Sequence, residues 1–247
     1  PCRTGTIMSG PESNDRSSRH SARQVIRVGH RGAAGHAPEN TVAAIHAGIA
    51  CGVDFAEVDL RRTADGSLVA LHDATVNRTT DGRGRIDRLS LQDAKRLDAG
   101  NGQRIPTLQE VLEAAAGRTG LILEIKVTGV AQQTVETVRH AGFTGPILYA
   151  SFLHEELIHV RAADPSSSLM VLFDRFPGAS VARAMTYAAS CVGLRHDRVT
   201  RRLIESFHSS DLRVFVYTAD RPSAIERALS LGVDGIISNF PDRIPSE

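Results

Sequence analysis

Residues 121–152 run LILEIKVTGVAQQTVETVRHAGFTGPILYASF. Leu121 to Lys126 is an aliphatic run of strand length, Val130 to Ala141 carries apolar residues at helical spacing, and Pro146 to Phe152 is a second β-rich run. Gly142 stands just past the helix, where a residue with positive φ is wanted. Two such strands with a helix between them imply a parallel pair, because a parallel neighbour is reached only through a crossover. The same alternation continues in both directions. Strands are expected at Val25 to Gly29, Asp54 to Leu60, Leu169 to Phe173, Cys191 to Leu194, Val214 to Thr218 and Gly235 to Ser238, making eight with the first two. Helices are expected at Thr41 to Cys51, His154 to Ala163, Ala179 to Ala189, Arg201 to Ser209 and Pro222 to Leu231, with Gly52 and Gly232 punctuating the first and last of these.

Eight βα alternations without a second composition block favour an α/β architecture closed on itself, a (β/α)8 barrel of the TIM kind, since closure removes the sheet edges. An open doubly wound sheet is the alternative. One irregularity follows the second strand. Thr63-Ala64-Asp65-Gly66 forms a turn signal, Leu68 to His72 a returning strand, and Asp73 to Pro106 a short insertion over the barrel mouth with a helix near Ser90 to Leu97. Thr107 to Ala116 then resumes the barrel. Residues 1–23 are rich in Ser, Arg and Gly, lack apolar periodicity, and are expected to form a disordered tail ahead of a single domain over 24–247.

Hydrophobic residues make up 41% of the 247, enough for an extensive core. A formal charge of +1 provides no global field for nucleic acid, so anion recognition has to be local. Cys2, Cys51 and Cys191 are odd in number and far apart, which fits a reducing compartment better than a disulfide framework. The N-terminal residues contain no apolar run of the signal-peptide kind, so a cytoplasmic location is expected. With no Trp and only 4% aromatic residues, stable membrane insertion is not expected. The sequence leaves the oligomeric state open.

Charges inside apolar strands point to the chemistry. Glu57 and Asp59 lie two apart on one strand and therefore share a face, and Glu124 and Lys126 repeat the pattern on the next barrel strand. Carboxylates crowded near a barrel interior would repel each other unless a cation lies between them. Taken singly, Glu57 and Asp59 could be an exposed pair at a strand end, and Glu124 and Lys126 a structural ion pair. Together, three carboxylates at the carboxyl ends of adjacent strands suit Mg²⁺ or Ca²⁺ better than Zn²⁺. His30 and His72 each end a strand. Such residues are often structural, but two beside a carboxylate cluster can serve as proton acceptor and proton donor. Arg31 and Lys126 add positive charge suited to a phosphate. Pro38-Glu39-Asn40-Thr41 reads as a helix start, with Asn or Thr as the cap.

His30-Arg31-Gly32, Pro38-Glu39-Asn40-Thr41, Glu57-x-Asp59, Asp65-Gly66, His72-Asp73, Arg78-Thr79-Thr80, Pro106-Thr107-Leu108, Glu124-x-Lys126 and Gly232-Val233-Asp234-Gly235, in this order, resemble the glycerophosphodiester phosphodiesterase family over about residues 27–244. The resemblance implies a TIM barrel that uses a divalent metal to hydrolyse small glycerophosphodiesters to glycerol 3-phosphate and an alcohol, a reaction of lipid and glycerol metabolism. It also implies metal ligation by Glu57, Asp59 and Glu124, acid/base roles for His30 and His72, and phosphate contacts from Arg31 and Lys126. Two departures stand out. Tyr217-Thr218-Ala219-Asp220 takes the place of a common Trp-Thr-Val-Asn, and Ser238-Asn239-Phe240-Pro241 that of a usual Thr-Asp-Tyr-Pro. The competing expectations are a lysophospholipase D-like lipid phosphodiesterase and a non-catalytic metabolite-binding barrel.

Overall fold

Side chains alternate across a strand, so a barrel strand must satisfy a helix layer with one parity and the barrel interior with the other. The computed structural model, which describes residues 24–175 and 179–246, shows this partition. The tail expected over 1–23 lies outside the described residues. Eight parallel strands, β1 (Ile26–Gly29), β2 (Phe55–Arg62), β4 (Gly120–Ile125), β5 (Ile147–Ser151), β6 (Ser168–Phe173), β7 (Cys191–Arg195), β8 (Arg213–Tyr217) and β9 (Gly235–Ser238), pair in sequence order. The ring closes through β9 with β1 and β1 with β2. An open sheet is thereby excluded.

Outward residues such as Val58, Leu123, Val171, Val214 and Ile236 join the layer beneath α1 (Val42–Ala50), α3 (Leu108–Ala115), α4 (Ala131–His140), α5 (His154–Ala163), α6 (Ser180–Thr186), α7 (Arg201–His208) and α8 (Pro222–Leu231). Inward residues Val28, Ile122, Leu148, Met170, Leu172, Phe215 and Ile237 fill the barrel axis. Two glycines are needed there. A Cβ at Gly235 would lie 2.3 Å from the Phe215 ring, and one at Gly193 would lie 2.4 Å from Leu172 Cδ2. The glycines make room for the large side chains that plug the interior.

Helix ends follow their local chemistry. Thr41 caps α1 by accepting from Ala44 N at 3.2 Å, Thr107 and Glu110 form a reciprocal capping box on α3, and Gly232 ends α8 at φ 81°. The helix expected over 179–189 is shorter, Ser180–Thr186, because Ala188 adopts a left-handed φ of 48° and turns the chain toward β7. The turn after β2 leads into an antiparallel β3 (Leu68–Ala70), the expected returning strand, which ends two residues before His72. The insertion carries α2 (Leu91–Arg96) and its own small core of Val69, Leu71, Val76, Ile86, Ala94, Ala99 and Ile105. Among the described residues no helix is long and apolar enough to cross a membrane.

Candidate active site

The inward parity of β2 places Glu57 and Asp59 in the upper barrel, 4% and 1% exposed. Glu124 on β4 is the direct register partner of Asp59, so Glu57 sits one layer below an Asp59–Glu124 pair. One carboxylate oxygen from each lies within 4.8 Å of the other two. Glu57 Oε2 accepts from Arg31 N at 2.7 Å, while Glu57 Oε1 is buried with no hydrogen-bond partner. A buried carboxylate oxygen without a donor is costly unless a further ligand meets it.

Crowding sets the protonation pattern. Burial, then the charges of Asp59 and Glu124, push Glu57 well above the ordinary carboxylate range. Burial and Asp59 also push Glu124 up to about 7, against the pull of Lys126. Asp59 goes the other way. Burial is its largest influence and opposes ionisation, but Lys126, Arg31, His72 and a hydrogen bond from Asn40 together hold it below its usual value. Lys126 Nζ donates to Glu124 Oε1 at 2.6 Å and lies 3.4 Å from Asp59 Oδ1, and these two charges outweigh its own burial to keep it protonated. Arg31, at a positive φ of 50°, approaches Asp59 Oδ2 at 3.4 Å through Nε and donates to Glu39 Oε1 at 2.6 Å.

The structure brings both histidines to this mouth. His30 Nε2 lies 4.0 Å from Glu57 Oε2, and Nδ1 lies 2.7 Å from Asn239 Oδ1. Burial, then Arg31, lower the His30 pKa and favour the neutral ring. His72 Nδ1 is 2.7 Å from Asp73 Oδ1, and the His72 carbonyl accepts from Arg61 Nε at 2.8 Å. The His72 side chain is 34% exposed against 18% for His30, so it stands nearer solvent.

Several supporting residues carry no distinct signal in composition or spacing. Arg78 spans Glu39 and Asp73 with four hydrogen bonds of 2.8, 2.8, 2.8 and 3.2 Å. The two bonds to Asp73 are its largest influence and hold it well below the ordinary range. The helix-start reading of Pro38-Glu39-Asn40-Thr41 holds for Thr41 but omits half of the segment's work. Asn40, at a φ of 57°, donates to Asp59 Oδ2 at 2.8 Å and accepts from Asp59 N at 3.0 Å. Asp220 accepts from Ser238 Oγ at 3.1 Å, and from the backbone and side-chain N–H groups of Asn239 at 2.8 and 2.7 Å.

Comparison with known proteins gives the same picture. Residues 30–243 match the model of the glycerophosphoryl diester phosphodiesterase family. A glycerophosphodiester phosphodiesterase of Caldanaerobacter subterraneus subsp. tengcongensis is 31% identical over 234 residues, covering 90% of this chain and 96% of the relative. The solved structure of an Oleispira antarctica phosphodiesterase in complex with the product sn-glycerol-3-phosphate superposes with a TM-score of 0.83 at 28% identity, covering 90% and 94% of the two chains. A glycerophosphodiester phosphodiesterase structure from Agrobacterium tumefaciens has a TM-score of 0.77 at 29% identity, covering 89% and 99%. With the barrel, the carboxylate cluster and a family match over nearly the whole described chain, this protein belongs to the glycerophosphoryl diester phosphodiesterase family.

Proposed function

We propose that the protein hydrolyses small glycerophosphodiesters to glycerol 3-phosphate and an alcohol, with a divalent cation at Glu57, Asp59 and Glu124 and with His30 and His72 moving the protons. The observation that carries the reading is the carboxylate triad, in which Glu57 and Asp59 are buried and Glu57 Oε1 is unpartnered. Three hard oxygen donors, among the described residues without sulfur or imidazole in the same cluster, fit Mg²⁺ or Ca²⁺. When bound, such an ion would neutralise charge on the phosphoryl oxygens and lower the pKa of a coordinated hydroxyl.

The protein's own groups supply the rest. Arg31 and Lys126 flank the triad and can turn from their carboxylate partners to the phosphate, the first as a fork and the second as a point charge. His30, kept neutral by burial, accepts a proton from the glycerol hydroxyl next to the ester oxygen. His72, nearer solvent, donates to the departing alcohol. Tethered attack by that hydroxyl gains from proximity and gives a cyclic glycerol phosphate. Water then opens the cycle with the two histidines exchanging roles. Phe152 and Leu153, each 39% exposed at the end of β5 with the Phe152 ring 5.8 Å from Lys126 Nζ, keep lysophospholipids as a second substrate class.

The test is a panel of glycerophosphocholine, lysophosphatidylcholine and a 1,3-propanediol diester lacking the central hydroxyl, each assayed after chelation and after return of Mg²⁺ or Ca²⁺. Glycerophosphocholine turnover is expected to vanish on chelation and to return with metal. His30→Ala and His72→Ala are each expected to lower kcat by about 100-fold or more. Undiminished turnover after thorough chelation would defeat the metal assignment, and equal turnover of the propanediol diester would replace the cyclic route with direct attack by water.

A further inference from the structure

We infer that Asp220 and Asn239 are a positioning pair that locks His30 in one tautomer, with hydrogen on Nδ1 and a bare Nε2 facing the carboxylate cluster. The inference rests on the reading of His30 as the proton acceptor.

Donor and acceptor atoms decide the orientation of the pair. The Asp220 carboxylate collects the Ser238 hydroxyl on Oδ1 at 3.1 Å, the Asn239 backbone N–H on Oδ1 at 2.8 Å, and the Asn239 side-chain amide on Oδ2 at 2.7 Å. An ionised carboxylate only accepts, so the NH₂ end of the Asn239 amide has to face it. The carbonyl end, Oδ1, then points the other way and lies 2.7 Å from His30 Nδ1. A carbonyl oxygen also only accepts, so Nδ1 has to carry the hydrogen. The proton-free nitrogen of the neutral ring is then Nε2, which lies 4.0 Å from Glu57 Oε2 at the mouth of the site.

Turning the amide over would set Asn239 Oδ1 against the Asp220 carboxylate and Nδ2 against His30 Nδ1, leaving acceptor facing acceptor on one side. Direction is thus imposed from Asp220 through Asn239 to the ring. Asp220 is itself anchored. Its carbonyl accepts from Arg243 Nη1 at 2.8 Å, tying the β8–α8 connection to the segment after β9. The amide between carboxylate and imidazole fixes orientation without placing a negative charge directly on the ring.

The test uses nitrogen NMR of the His30 ring in the full-length protein above neutral pH, with and without Mg²⁺, alongside steady-state kinetics on glycerophosphocholine. Wild type is expected to show a single form, protonated at Nδ1. Asp220→Asn removes the directing carboxylate, lets the amide sit either way, and is expected to give mixed tautomers with kcat lower by about 10- to 100-fold at unchanged KM. The exchange Asp220→Asn with Asn239→Asp restores a carboxylate acceptor next to Nδ1 and an amide donor behind it. It is expected to return the single tautomer and most of kcat, which a purely structural role would not do. Asn239→Ala provides a second route to mixed tautomers should Asp220→Asn fold poorly. A wild-type ring protonated at Nε2, or a single Nδ1–H form that survives both single substitutions, overturns the inference. Failure of the underlying reading looks different: His30→Ala would keep its turnover while the tautomer data stayed as described.

Discussion

Removing the charge of Glu124 is expected to change how the metal-free protein responds to pH. The Glu124 carboxyl is held at about 7 in the fold against 4.5 in the unfolded chain, chiefly by burial and then by Asp59. A carboxyl raised in this way binds its proton more tightly folded than unfolded. Its stabilising effect is complete below about pH 4.5 and is lost as the pH rises through about 7. At about 1.4 kcal/mol for each tenfold difference in proton affinity, the loss is about 3 kcal/mol. Glu57, also raised, acts in the same direction. His30 acts in the opposite one, because its lowered pKa favours the fold as the pH rises toward 6.5. Asp59 is ionised in both states across this window. The informative quantity is therefore the urea-unfolding free energy of wild type minus that of Glu124→Gln, in chelator, at several values between about pH 5 and pH 8. The difference is expected to move against wild type by about 2 to 3 kcal/mol across that range. Saturating Mg²⁺ should oppose the loss, since metal ligation needs the ionised carboxylates. A difference that stays flat in chelator, or that favours wild type as the pH rises, would refute the raising of Glu124 by burial and Asp59.

Three further outcomes follow from particular contacts. Asn40→Ala removes both hydrogen bonds to Asp59 and puts alanine, which tolerates a left-handed φ less well than asparagine, at this position, so a loss of about 3 kcal/mol in urea unfolding is expected, with Asn40→Gly about 1 kcal/mol milder. Arg78→Lys replaces a fork that holds Glu39 and Asp73 together with a single ammonium. It should cost no more than about 1 kcal/mol of stability at this half-exposed position, yet lower kcat/KM by about 10-fold as His72 loosens. A stability loss with unchanged kinetics would make that clamp purely structural. Gly235→Ala drives a methyl group into the Phe215 ring and should cost about 1 to 3 kcal/mol, visible as a lower Tm. An unchanged Tm would mean that the barrel floor repacks freely.

The fold was legible because its signal is periodic. The 121–152 unit announces strand, helix and parallel strand through spacing alone, and the structure places these elements at Gly120–Ile125, Ala131–His140 and Ile147–Ser151. Glu57, Asp59 and Glu124 were legible for a related reason: a charge inside an aliphatic strand is conspicuous. The residues that support them are not. Asn40 lies 19 positions from Asp59, Glu39 lies 39 from Arg78, and His30 lies 209 from Asn239. Polar residues in connections look alike whether they cap a helix, turn the chain or orient a catalytic group, and only closure of the barrel distinguishes them. Asp220 and Asn239 show the limit well. As letters they are two unrelated departures from the family pattern, yet in space their side chains meet at 2.7 Å with donor and acceptor facing each other.

The barrel closes on itself by joining its first strand to its last, and His30 is held at that seam. Its backbone N–H donates to Ser238 O at 2.8 Å, its ring meets Asn239, and Gly35 N, five residues on, donates to Asn239 O at 2.9 Å. During synthesis the chain leaves the ribosome N-terminus first, and contacts between distant segments form last. A nascent chain that stops short of residue 239 already contains the three carboxylates, Arg31, Lys126 and His72, but nothing that sets the His30 ring. On the proposal that His30 moves a proton, a chain ending before Asn239 is expected to cleave a diester more slowly than the closed barrel.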